Sequence, residues 1–141
     1  MADVQSFKGL RYNTEDLGSK LCPPYDVISE IQQKHLHESN PYNAVRLELG
    51  ISNSSDSEYN NRYTRAAKLL EDWLKDGTLV VEKRPAIYVI QEKFQHEGRQ
   101  CTRRSIIARV RLEDFSYGVV FPHEQTSQGP KKDRFGILSA T

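Results

Sequence analysis

The chain has 141 residues, 20 basic and 19 acidic, for a net charge of +1, and 37% of its side chains are hydrophobic. That length is one domain's worth and enough for a hydrophobic core. The charge balance speaks against holding nucleic acid or an anionic membrane by bulk charge, and no apolar run approaches the roughly 20 residues of a membrane span.

The first residues, Met1 to Gln5, carry an acid early and lack the apolar stretch of a secretory signal. Cys22 and Cys101 show neither CxxC spacing nor a disulfide framework. Both features fit a reduced, cytoplasmic compartment.

Residues 6 to 27 read as irregular, and Pro23-Pro24 forbids helix there. Ser29, with Gln32 three residues on, opens a short helix to about Glu38, before Asn40-Pro41. From Asn43 to Leu49 the pattern alternates: Val45, Leu47 and Leu49 against Arg46 and Glu48. Alternation predicts a half-buried strand. A Ser- and Asn-rich loop follows.

Ser55-Asp56-Ser57-Glu58 reads as a capping box for the next helix. Tyr59, Tyr63, Ala66, Leu70, Trp73 and Leu74 make its apolar stripe, and Gly77 ends it. Tyr59, Tyr63 and Trp73 are expected in the core. Ala86 to Phe94 and Gln100 to Leu112 predict two strands joined by His96-Glu97-Gly98-Arg99 as a hairpin. Thr102, Arg104, Ile106, Ala108, Val110 and Leu112 share one face. Cys101, Arg103, Ser105, Ile107, Arg109 and Arg111 share the other. Val119 to Phe121 predicts a last short strand, and Lys132 to Thr141 the start of a helix. The order gives an α+β fold, with a small, mixed, largely antiparallel sheet and two to three packed helices. It reads as a single domain over residues 1–141. Because the chain stops at Leu138-Ser139-Ala140-Thr141, inside that helix, it also reads as the N-terminal part of a longer protein.

Polar residues crowd between Pro122 and Arg134. His123 suits a hydrogen-bond donor or general base, and Glu124 suits a base, a Mg²⁺ ligand or a group that orients His123. Thr126 offers a hydroxyl, and Lys131, Lys132 and Arg134 offer cationic donors to anionic oxygens. A strand end with a solvated loop and a helix cap explains the same residues without a ligand. His123-Glu124-Gln125-Thr126-Ser127 lacks the second histidine of HExxH, so the sequence holds no recognised metal signature. Tyr25 and Asp26, after two prolines, could face a ligand or cap a helix. Arg46 could face the same site or stand in solvent. Arg103, Arg104, Arg109 and Arg111 form a basic set, more consistent with cross-strand pairs than with a phosphate site.

The chain resembles the domain of unknown function 1015 family. The resemblance rests on Phe7-Lys8-Gly9-Leu10-Arg11-Tyr12, on Pro23-Pro24-Tyr25-Asp26-Val27-Ile28 and on Asn40 through Glu48. It continues through Tyr63-Thr64-Arg65-Ala66-Ala67, Arg109 through Phe115, and Pro122-His123-Glu124-Gln125-Thr126 with Pro130, Asp133 and Arg134. The family pattern usually has an arginine or similar residue where Gln125 stands. Its members run well beyond this length, and the resemblance implies no assigned activity. A weaker similarity, at the level of analogy, is to the ParB and sulfiredoxin-like superfamily, which implies nucleotide phosphates and, in some members, phosphotransfer.

The resulting expectation is a cytoplasmic enzyme domain, phosphotransferase-like, that binds a nucleotide or phosphorylated metabolite, with Mg²⁺ as a possible companion. His123 and Glu124 would act on it. Thr126, Lys131, Lys132, Arg134, Tyr25, Asp26 and Arg46 would hold it. The alternative is a non-enzymatic regulatory or interaction domain. A small-molecule partner is favoured over nucleic acid, since no helix-turn-helix with a basic recognition helix is legible, and no membrane partner is expected.

Overall fold

A buried amide organises the largest packed region. Asn43 has no exposed surface. Its side-chain NH₂ donates to the carbonyls of Ser19 at 2.7 Å and Leu21 at 3.0 Å, and its oxygen accepts from Val45 N at 2.9 Å. These bonds hold an irregular segment against a helical turn, which a strand at this position would not permit.

The computed structural model describes residues 1–123 and 128–141. In chain order its elements are β1 (Val4–Gln5), β2 (Leu10–Tyr12), α1 (Glu30–Ser39), α2 (Val45–Glu48), α3 (Arg62–Lys75), β3 (Leu79–Val81), β4 (Tyr88–His96), β5 (Arg99–Ile107), β6 (Arg109–Val110) and α4 (Gln128–Ala140). The fold is α+β. The strands form two-stranded pairs, β1 with β6, β2 with β3 and β4 with β5. The chain divides into two compact units. The first comprises residues 1–11 and 81–125, the second residues 12–80 and 126–141.

In the second unit, Ser29 caps α1 by accepting from Gln32 N at 3.3 Å, as its sequence position predicts. The segment from Asn43 to Leu49 is not the expected strand. Val45 to Glu48 is a turn of helix with Val45 fully buried. Val45 and Leu49 are two steps of a strand but also one helical turn apart, so five residues of alternation did not separate the two periods.

The cap of α3 also differs from the expected one. Asn61, not Ser55, is the N-cap. Its side chain accepts from Tyr63 N and Thr64 N, while the Thr64 hydroxyl accepts from Asn61 N at 2.9 Å. This is a reciprocal box with Asn and Thr in place of Ser and Glu. Because the helix starts at Arg62, Tyr59 lies before it and is 87% exposed, not in the core. Ala66 and Trp73 do face inward. The Trp73 ring meets those of Tyr42 at 5.7 Å and Tyr12 at 6.1 Å, both tilted. Among the described residues Val45, Ala66, Trp73 and Leu79 are the buried apolar set, and the two tyrosine rings border it.

In the first unit, β4 and β5 form a regular antiparallel ribbon from Tyr88↔Ile107 to His96↔Arg99. Glu97 at φ 49° and Gly98 at φ 73° close it. Two consecutive positive φ values make the two-residue turn whose twist matches the strands. Arg103 Nε reaches Glu92 at 2.7 Å and Arg104 Nε reaches Gln91 at 3.2 Å, each from its register partner. The basic set is thus engaged in cross-strand pairs at these positions. The strand expected to run on to Leu112 breaks at Ala108, and Arg109–Val110 pairs with Val4–Gln5 instead. Val119 to Phe121 forms no strand. Its neighbours Phe115–Tyr117 form a turn of 3₁₀ helix, which Asp114 caps by accepting from Ser116 N.

Replacing Asn43 by Ala would leave two part-buried carbonyls and the buried Val45 N–H without their partner. We expect Asn43→Ala to lower the unfolding free energy by about 3 kcal/mol, read from urea denaturation curves. A loss below about 0.5 kcal/mol would show that Asn43 does not organise this region.

Candidate functional site

The helix α4 carries Asp133 and Arg134 near its start and crosses α3 closely. Gly136 makes this possible: a Cβ there would come within 2.8 Å of the Tyr63 ring. With the ring seated at Gly136, the Tyr63 hydroxyl reaches one helical turn back and donates to Asp133 Oδ1 at 3.1 Å. Arg62 forms an ion pair with the same oxygen, donates to the Tyr63 hydroxyl at 2.8 Å, and lies 4.8 Å over the Tyr63 ring.

Arg134 extends the network. Its Nη2 donates to Asp133 Oδ2 at 2.6 Å and to the Glu48 carbonyl at 2.7 Å, and its Nη1 donates to the Glu48 carboxylate at 2.6 Å. Its guanidinium sits 3.8 Å from the centroid of the Tyr25 ring, a cation–π contact. Two cations and two anions therefore balance beside two aromatic rings, Tyr63 under Arg62 and Tyr25 under Arg134. Tyr25, Glu48, Tyr63, Asp133 and Arg134 come from four of the segments singled out in the sequence, and the fold brings them together.

The electrostatics follow from the contacts. Burial alone would raise the Asp133 carboxyl, but hydrogen bonds from Arg134 and Tyr63 and the charges of Arg62 and Arg134 outweigh it and lower its pKa. Burial alone would likewise lower Arg134, and its bonds to Asp133 and Glu48 raise it instead. The nearby Cys22 thiol is pushed up, first by burial and then by the Glu48 charge, so it stays protonated and is a poor nucleophile.

The remaining sequence candidates sit as follows. Arg46 donates to the carbonyls of His37 at 2.5 Å and Asn40 at 3.4 Å, where it closes the C-terminal end of α1. Asp26 is exposed in the 3₁₀ turn Tyr25–Val27. Lys131 and Lys132 are exposed on the first turns of α4. His123 belongs to the first unit and is exposed. Glu124, Gln125 and Thr126 lie outside the described residues.

Two depressions flank Tyr25 within the second unit. One, of about 480 Å³, is bordered by Tyr25, Glu30, Lys34, Gly50, Ser52 and Arg62, among others. The other, of about 350 Å³, is lined by Tyr25, Pro130, Lys131, Arg134, Phe135 and Leu138 and is mostly apolar. Both volumes fall in the range of small-molecule sites. Arg65 steadies the loop that borders the larger one, donating to the Ile51 carbonyl at 2.8 Å and bridging Asp56 at 2.7 Å.

Lys34, Glu48 and Arg62 were not singled out in the sequence as site residues. Glu48 stood within a segment read as a strand, and Arg62 lay outside the quoted motifs. Among the described residues, no group of three or more His, Cys, Asp or Glu side chains is placed to hold a metal ion, and no helix is long and apolar enough to cross a membrane.

Because Asp133's carboxyl pKa is depressed in the folded state, its contribution is fully present above the unfolded value near 4 and is lost as pH falls through the folded value. Asp133→Asn should therefore lower stability by about 2 kcal/mol at pH 7. The gap to the unsubstituted chain should shrink as pH falls below about 4, measured by thermal unfolding across pH. A gap that is constant with pH would separate Asp133 from this linkage.

A family model described as Protein of unknown function (DUF1015) matches residues 4–141. No curated protein and no solved structure matches the chain.

Proposed function

We propose that this chain, which belongs to the family described as Protein of unknown function (DUF1015), binds a nucleotide or phosphorylated small metabolite in its second compact unit. One observation carries the reading: a polar depression and an apolar one share Tyr25 as a wall. The polar depression offers Lys34 and Arg62 as cations and the Ser52 hydroxyl as a donor, against one acid, Glu30. That set suits phosphate oxygens. The apolar depression, with Pro130, Phe135 and Leu138, suits a base or a carbon skeleton.

The ion-pair network supports the wall from behind. Arg134 holds one face of Tyr25, and Asp133 and Glu48 hold Arg134. The tyrosine is thereby fixed before a ligand arrives, which lowers the ordering cost of binding. The reading concerns binding and assigns no bond-making step. Phosphotransfer enters only through the analogy with ParB and sulfiredoxin-like proteins.

A second reading, a non-enzymatic interaction domain, is favoured by one specific observation. Asp133 and Arg134 already have their partners within the unit, so both motif residues have a structural role that needs no ligand.

Isothermal titration separates the two. With ATP, ADP, CTP and phosphoserine, each with Mg²⁺, at least one ligand should bind saturably. Lys34→Ala should weaken it about tenfold, roughly 1.4 kcal/mol, with the melting temperature unchanged. Absence of binding by all four ligands counts against this reading and leaves the interaction-domain reading in its place.

A further inference from the structure

The net charge of +1 conceals a separation. The first unit carries ten basic and seven acidic residues, the second ten and twelve. Within the first unit, the β4–β5 ribbon sorts its side chains by face. Register pairs Gln91↔Arg104, Lys93↔Thr102 and Gln95↔Gln100 alternate with Glu92↔Arg103, Phe94↔Cys101 and His96↔Arg99. Alternation puts the first three pairs on one face and the others on the opposite one. The first face thus presents Gln91, Lys93, Gln95, Gln100, Thr102 and Arg104, with the Val89↔Ile106 pair at its end away from the turn, exposed as well. All six polar residues are exposed. None is acidic, and the hairpin's two acids lie elsewhere: Glu92 is on the opposite face, bridged to Arg103, and Glu97 is in the turn.

We propose that this face of the ribbon docks on duplex DNA. The charge is complementary: two cations and no acid would meet a polyanion. Beside the cations stand three amides and a hydroxyl, groups that hydrogen-bond to base edges and phosphates, and at the end away from the turn the apolar Val89 and Ile106. The shape also fits. A two-stranded ribbon enters a major groove about 12 Å wide, and nine residues per strand extend roughly 30 Å. The Arg104–Gln91 bond at 3.2 Å holds two of the contacting side chains in a fixed relation across the strands. The whole-chain charge spoke against nucleic acid because it averaged over two units of opposite sign. This proposal is independent of the ligand site in the second unit.

Fluorescence anisotropy of a labelled, mixed-sequence duplex tests it, with the full chain titrated at low salt. The expected result is saturable binding whose log K falls against log salt with a slope of about −2 between about 50 and 200 mM, matching two neutralised phosphates. Lys93→Glu with Arg104→Glu should weaken binding at least tenfold while the thermal midpoint holds. Should that double variant fail to fold, Arg104→Gln alone should weaken binding about threefold and reduce the slope by about one. The proposal is overturned by no rise in anisotropy, by binding that these variants leave intact, or by equal affinity for polyglutamate, which would mark a general polyanion surface.

Discussion

A single carboxylate holds the second unit's last helix in place. Asp133 has two oxygens, and each is used differently. One takes Arg62 and the Tyr63 hydroxyl from α3, and the other takes Arg134 from its own helix. Arg134 in turn fixes Glu48 and covers Tyr25. With Asp133 removed, Arg62 and Arg134 would lose their shared anion, and Glu48 alone would hold the cation over Tyr25. A carboxylate only 14% exposed is costly unless it is paired, and here Arg62–Asp133 and Arg134–Glu48 join residues distant in sequence. The candidate ligand wall therefore depends on a helix-to-helix contact, not on a loop.

The close packing behind that carboxylate is steric. Gly136 lets Tyr63 approach the α4 backbone, and the ring's length sets where its hydroxyl arrives. A larger residue at 136 would push α4 away and separate Tyr63 from Asp133. The sequence places Asp133 and Gly136 three apart, one turn of helix, so one face of α4 supplies both the clearance and the acceptor.

Much of this was legible from residue order, and the failures have identifiable causes. The Ser29 cap, the stripe through Ala66 and Trp73, and the Gly98 hairpin each follow from local rules that tertiary contacts did not overturn. Asn43 to Leu49 failed because a fully buried amide, not side-chain alternation, decided its conformation. The α3 cap was misplaced because Asn61 and Thr64 perform a task usually signalled by Ser and Glu. β1 and β2 are two and three residues long, too short for a period to register. At the candidate site, Tyr25 and Arg134 could be named from the sequence, but their stacking could not. Glu48 and Arg62 could be recognised only once α2, α3 and α4 were assembled, since no short-range spacing links residues 48, 62 and 134.

The buried apolar side chains among the described residues, Val45, Ala66, Trp73 and Leu79, all belong to the second unit. The ribbon's long strands are mostly exposed on both faces. Backbone hydrogen bonds near solvent open by small local fluctuations, whereas those over a buried tryptophan open only when the packing around it is lost. In hydrogen exchange the chain should thus have two clocks: amides of β4 and β5 exchanging early, and those around Trp73 in α3 holding their protons until the second unit unfolds.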